Sequence, residues 1–145
     1  VSAEIHYLLE KGIVVEKDFV PHFVNPLSVA ANSSKLRLVL DCSELNSFII
    51  RYKFKFEDLR HVLDLLQPGF FMCKIDLKSA YHHFDVNKCF HTFLGFSWKF
   101  DGKVKFFTYT SLPFGLNTAP FVCTKMIRPF VLRWRYSGTG PECWG

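Results

Sequence analysis

No Cys-x-x-Cys pair occurs in this sequence: its five cysteines, Cys42, Cys73, Cys89, Cys123 and Cys143, are scattered and odd in number. That argues against a disulfide framework and favours a reducing compartment. No apolar run approaches the roughly 18 residues that span a bilayer, and no signal-peptide layout opens the chain. The expectation is an intracellular protein of cytoplasm or nucleus, neither secreted nor transmembrane. Repeats, low-complexity tracts and interdomain linkers are also missing from the 145 residues. No Gly-x-Ser-x-Gly elbow occurs, so a Ser/His/Asp triad has no support.

What is present is apolar and aromatic. Hydrophobic residues make up 49% of the chain and 17 residues are Phe, enough for one globular domain with a core. The formal charge of +5 is unevenly placed: residues 1–73 carry a net −1 and residues 74–145 carry +6. A basic half interleaved with aromatics suits a polyanion such as nucleic acid, although a solvated basic surface would read the same way.

Along the chain, Ile5, Leu8 and Leu9 lie at helical spacing within Ser2–Glu10, with Gly12 as a stop signal. Ile13-Val14-Val15 is a short strand candidate. A broken extended run over Phe23–Val29 and an alternating Lys35–Leu40 flank a turn at Ala31–Ser34, which predicts a hairpin with Lys35 and Arg37 on one face. Asp41–Ile50 reads as a turn into an apolar patch. Phe56-Glu57-Asp58 caps a helix carrying Leu59, Val62, Leu63 and Leu66, stopped by Pro68-Gly69. Phe70–Ile75 reads as a buried strand, followed by a turn or a single helical turn around Ser79-Ala80-Tyr81. Asp101-Gly102 between two apolar runs is a two-residue hairpin signal. Thr118-Ala119-Pro120 opens a final helix with Cys123, Met126, Ile127, Phe130 and Trp134 on one stripe, which Pro129 should kink or split. The mixture is α+β, an antiparallel sheet with packed helices, and not alternating βα units.

Several residues could carry chemistry. Asp76, at the end of the most apolar strand, is a sensible magnesium ligand, because magnesium takes oxygen from one or two carboxylates plus substrate phosphates. A turn-forming Asp is the plainer alternative. Lys35 and Arg37 could grip a triphosphate, Arg by its planar fork. The turn Leu112-Pro113-Phe114-Gly115-Leu116 presents backbone and an aromatic beside a helix start, where phosphates bind. Lys125, Arg128, Arg133 and Arg135 could follow a phosphate backbone, or could be ordinary surface charge. His82, His83, Cys89 and His91 raise the question of zinc, but adjacent histidines on an extended segment face opposite ways and the spacing shows no two ligand pairs.

Taken together, the segments resemble a reverse transcriptase. Arg37, Asp41, Leu45 and Asn46 match the fingers pattern Arg-x-x-x-Asp-x-Arg-x-Leu-Asn, with Ser43 in place of its second Arg. Ile75-Asp76-Leu77-Lys78-Ser79-Ala80-Tyr81 resembles motif A, and Leu112-Pro113-Phe114-Gly115-Leu116 with Ala119-Pro120 resembles motif B. Lys78–His83 and Leu94–Trp98 look most like retrotransposons of the DIRS, tyrosine-recombinase type or related LTR elements.

The resemblance implies a right-hand polymerase fold, with fingers and an incomplete palm in residues 1–137 and a tail outside the family in 138–145. It implies RNA-templated DNA synthesis from dNTPs on an RNA or DNA primer–template, with Mg2+ (or Mn2+) as cofactor. Asp76 would be the catalytic metal ligand, with Leu77 contributing its carbonyl. Arg37, with Lys35, would contact the triphosphate, and Tyr81 would gate the sugar. Phe114 and Gly115 would line the nucleotide pocket. Remaining palm, thumb and RNase H segments of a parent polyprotein would be partners. The family's next motif, an aromatic-x-Asp-Asp hairpin, has no counterpart, since no Asp-Asp pair occurs in the 145 residues. The expectation is that this chain alone is inactive, either as a polymerase fragment or as a non-catalytic nucleic-acid-binding remnant or domesticated copy.

Overall fold

The computed structural model describes residues 1–32, 35–55, 69 and 75–136. The helix expected over 56–66, the strand over 70–74 and the tail 138–145 lie outside these residues.

Helix α1 (Ser2–Glu10) buries Ile5 and Leu8, as their spacing dictates. Its C-terminus closes when Gly12 N–H donates to the Leu9 carbonyl at 3.0 Å and Ile13 N–H to that of Leu8 at 3.0 Å. Gly12 takes φ +69°, a region that glycine enters freely. The chain then enters β1 (Val14–Lys17), which pairs antiparallel with β5 (Lys103–Tyr109); β4 (Gly95–Phe100) pairs with the other side of β5. The β4–β5 hairpin turns on Asp101 (φ 49°) and Gly102 (φ 83°), the double positive φ of a type I′ turn. A 3-10 segment over Lys88–Phe93 precedes β4, so the apolar run before Asp101 becomes strand only at Gly95.

The second sheet is the hairpin β2 (Leu27–Asn32) and β3 (Lys35–Leu40), in register Leu27↔Leu40 to Asn32↔Lys35. Two ties fasten it to the first sheet. Asn25, buried, donates from its side chain to the Phe93 and Gly95 carbonyls, each at 3.0 Å. Beside it, Val24 bridges Gly95, where an added Cβ would lie 2.4 Å from the Pro21 side chain. One core runs between α1 and both sheets, with Phe96 stacked on Phe107 at 5.2 Å and Leu38, Leu40, Cys42 and Leu45 joining from the second hairpin.

Two local expectations change. Within Asp41–Ile50 a five-residue helix, α2 (Ser43–Ser47), forms and buries Leu45. Helix α3 (Ala119–Tyr136) is a single element through Pro129, not split there, and its expected stripe is only partly covered. Cys123 is buried, but Met126 is 52% and Phe130 72% exposed. The ring of Pro129 removes one N–H from the ladder without ending it, because the residues on both sides keep their helical hydrogen bonding.

Candidate functional site

Strand alternation in β3 turns Leu38 and Leu40 into the core and leaves Arg37 facing out. Across from Arg37 the chain passes through Ile75, Asp76 and Leu77, all exposed, and then reverses. Ser79 makes the reversal in a left-handed conformation, φ 53°, which is uncommon outside glycine. It leads into a 3-10 turn over Ala80–His83, fixed by His82 N–H to the Ser79 carbonyl at 2.9 Å. Ile75 is 59% exposed and stands outside any strand, so the apolar run does not bury Asp76 with it.

These pieces surround a cleft of about 520 Å³. Arg37, Asp76, Leu77 and Phe114, from three separate stretches of the chain, all line it. Tyr81 stands behind Phe114, ring centroids 5.0 Å apart, and burial followed by the neighbouring Cys123 raises its phenol above the ordinary pKa, so the hydroxyl stays protonated. Gly115 does not line the cleft and lies against the Leu40 carbonyl of β3. Lys35 lies two residues before Arg37 in β3. Lys125, Arg128 and Arg133 are exposed along α3 and do not line the cleft, and Lys125 lies over the Phe121 ring at 5.2 Å. The side chain of Arg135 is outside the described set.

Sequence reasoning missed the other walls. Glu4 and Leu8 reach the cleft from α1, and Tyr109 from β5. Lys78 and His82 also line it. The neutral form of His82 is favoured, first by burial and then by the adjacent His83, and its Nε2 has no partner among the described residues. Of the other zinc candidates, His83 and His91 engage backbone carbonyls of Lys78 and Val86 at 3.1 and 2.8 Å. Among the described residues no three His, Cys, Asp or Glu side chains form a metal-holding group. Magnesium fits the cleft in kind, because Asp76 and Glu4 offer carboxylate oxygen there, but these are a minority of its six ligands.

No protein-family model matches the chain. It is 29% identical over 125 residues to a retrovirus-related Pol polyprotein from transposon 412 of Drosophila melanogaster, covering 83% of this chain and 10% of that protein. The same identity holds over 117 residues with the Transposon Tf2-3 polyprotein of Schizosaccharomyces pombe, covering 81% and 8%. Among solved structures, native prototype foamy virus protease-reverse transcriptase superposes with a TM-score of 0.73 at 19% identity, over 91% of this chain and 17% of that one. A foamy viral protease-reverse transcriptase in complex with ds DNA gives 0.69 at 20% identity, over 86% and 21%. In sequence the chain is similar to part of retroelement Pol polyproteins, and its fold is that of a partial reverse-transcriptase domain. It spans about a tenth of the length of the curated relatives it matches. These relatives do not distinguish a DIRS-type element from other retroelements.

Within this fold the segments that resemble the fingers pattern and motif B are physically one unit. Leu40 N–H donates to the Phe114 carbonyl at 3.0 Å. Asn46 binds the Gly115 carbonyl and the Asn117 N–H, each at 2.9 Å. Ser43, where the family pattern has arginine, donates its N–H and hydroxyl to Asp41, and these bonds hold that carboxyl below its usual range. No helix among the described residues is long and apolar enough to cross a membrane.

Proposed function

We propose that this chain supplies the nucleotide-binding side of an RNA-templated DNA polymerase, as the fingers and first part of the palm, residues 1–137, of a longer retroelement protein. The observation that carries the reading is the convergence of Arg37, Asp76, Leu77 and Phe114 on one cleft. Asp76 holds a divalent cation, with the Leu77 carbonyl beside it. Arg37, joined by Lys35, binds the triphosphate through charge-assisted hydrogen bonds. Tyr81, packed behind Phe114, braces the wall against which a deoxyribose fits and a 2′-hydroxyl collides. Gly115 lets the pocket wall lie close to β3. Lys125, Arg128, Arg133 and Arg135 follow the phosphate backbone of a primer–template. Bound magnesium would activate a primer 3′-hydroxyl and neutralise the departing pyrophosphate.

Two-metal transfer needs more carboxylate than Asp76 offers, even with Glu4 beside it, so the 145-residue chain alone binds nucleotide without polymerising. Primer extension with magnesium and dNTPs tests this: templated synthesis by the chain alone would overturn it. A second reading, a nucleic-acid binder without chemistry, is favoured by the exposed cations of α3 and the single motif A carboxylate. Both readings expect primer–template binding that weakens steeply with salt. They part on magnesium-dependent dNTP binding, which only the first requires.

A further inference from the structure

A second cleft, of about 400 Å³, opens on the opposite face of the three-stranded sheet and shares no lining residue with the Asp76 cleft. Strand alternation separates the two. Tyr109 faces α1 and the Asp76 cleft, while Thr108 and Thr110, its neighbours in the chain, face the other way.

Three features of the second cleft converge on one ligand chemistry. Its fixed charges are Lys17 and Lys88, and no carboxylate lines it. Phe19 gives it an exposed aromatic wall, with Lys17 Nζ 5.8 Å from the ring centroid. At its floor Thr108 is 1% exposed, and its hydroxyl has no hydrogen-bond partner among the described residues. A buried hydroxyl left unpaired is a cost that folds ordinarily avoid, and a ligand oxygen would remove it. The nearby Thr110 hydroxyl is already committed, lying 2.7 Å from the Gly12 carbonyl and 3.1 Å from that of Ile13. His91 is held by its contact to the Val86 carbonyl.

We infer that this cleft binds a nucleoside phosphate, with the phosphate between Lys17 and Lys88, one oxygen meeting the Thr108 hydroxyl, and the base against Phe19. Cation pairs select the anion, and an aromatic face accepts any base. The volume suits one nucleotide unit. A free mononucleotide and the 5′-phosphorylated end of a strand present the same chemistry. The site is independent of Asp76 and needs no divalent metal.

The test is a titration of the isotope-labelled 145-residue chain with adenosine 5′-monophosphate in EDTA, read at the Thr108 and Thr110 methyls. Saturable shifts are expected there. They should weaken about tenfold or more for adenosine without phosphate and for the Lys17→Gln/Lys88→Gln variant. Thr108→Val should weaken binding by a smaller factor, and Asp76→Asn should leave it unchanged. Circular dichroism checks that the variants fold; the two lysine changes sit at the cleft rim and bury no new group. A 5′-phosphorylated oligonucleotide that outcompetes its 5′-hydroxyl counterpart and the mononucleotide assigns the site to strand ends. Preference for the mononucleotide assigns it to free nucleotide. Absence of shifts at both threonines, or equal binding by adenosine or by the lysine variant, overturns the site. Loss of binding with Asp76→Asn would show that the nucleotide occupies the other cleft.

Discussion

The side-chain amide of Asn46 donates to the Gly115 carbonyl at 2.9 Å, and the same side chain accepts the Asn117 N–H at 2.9 Å. One residue thereby joins α2 to the turn that carries Phe114. Truncation by Asn46→Ala leaves a carbonyl and an N–H without these partners. Both groups are within reach of water, so the loss should be about 0.5–1.5 kcal/mol. Urea unfolding should show that loss. Asn46→Asp keeps the acceptor for Asn117 but sets a carboxylate against the Gly115 carbonyl, so it should not restore stability.

Gly115 is constrained for a different reason. Its φ is +111°, and an added Cβ would stand 1.8 Å from the Leu40 carbonyl oxygen, backbone that cannot step aside. Gly115→Ala should therefore destabilise by at least about 2 kcal/mol and pull Phe114 away from the cleft. Unchanged unfolding midpoints would contradict this packing.

Acid should weaken the fold through His82. Its folded pKa lies below the ordinary 6.5 because burial, then His83, disfavours the charged ring. A depressed folded value means that the unfolded chain takes up the proton first. The stabilisation is complete above pH 6.5 and drains away as pH falls toward the folded value. Unfolding midpoints between neutral pH and pH 5 should fall less in His82→Phe than in the parent chain. Equal slopes would remove His82 as the cause.

The thiols should separate by reactivity. Burial, then the Asp41 carboxylate, pushes Cys42 up to about 12, whereas Cys89 is exposed. Alkylation near neutral pH followed by peptide mass mapping should label Cys89 well before Cys42, because the thiolate is the reacting species. Labelling of Cys42 at an equal rate would mean that the core around it opens.

Local signals were legible where one residue type dictates one geometry. Asp101-Gly102 announced its turn through the positive φ both positions need, and Lys35–Leu40 announced its two faces by alternation. Ile5 and Leu8 did the same for α1. The cleft was legible as far as its motifs reach, in Arg37, Asp76, Leu77 and Phe114. Glu4 and Tyr109 were not, since each enters the cleft through long-range packing of α1 on β5, which leaves no local spacing. Thr108 escaped notice for the same reason: a threonine in a strand looks ordinary until its hydroxyl is found buried without a partner. The apolar stripe of α3 misled, because helical spacing reports an apolar face but not what covers it.

The central claim is that the cleft between Arg37 and Asp76 receives a deoxynucleoside triphosphate with magnesium. The direct measurement is a titration of the isotope-labelled 145-residue chain with dTTP, with and without magnesium, mapped residue by residue. The predicted result is a set of magnesium-dependent shifts at Arg37, Leu77, Tyr81 and Phe114, with Asp76→Asn abolishing the magnesium dependence and Arg37→Ala weakening binding about tenfold. Shifts confined to other surfaces, or a magnesium dependence that survives Asp76→Asn, would contradict it.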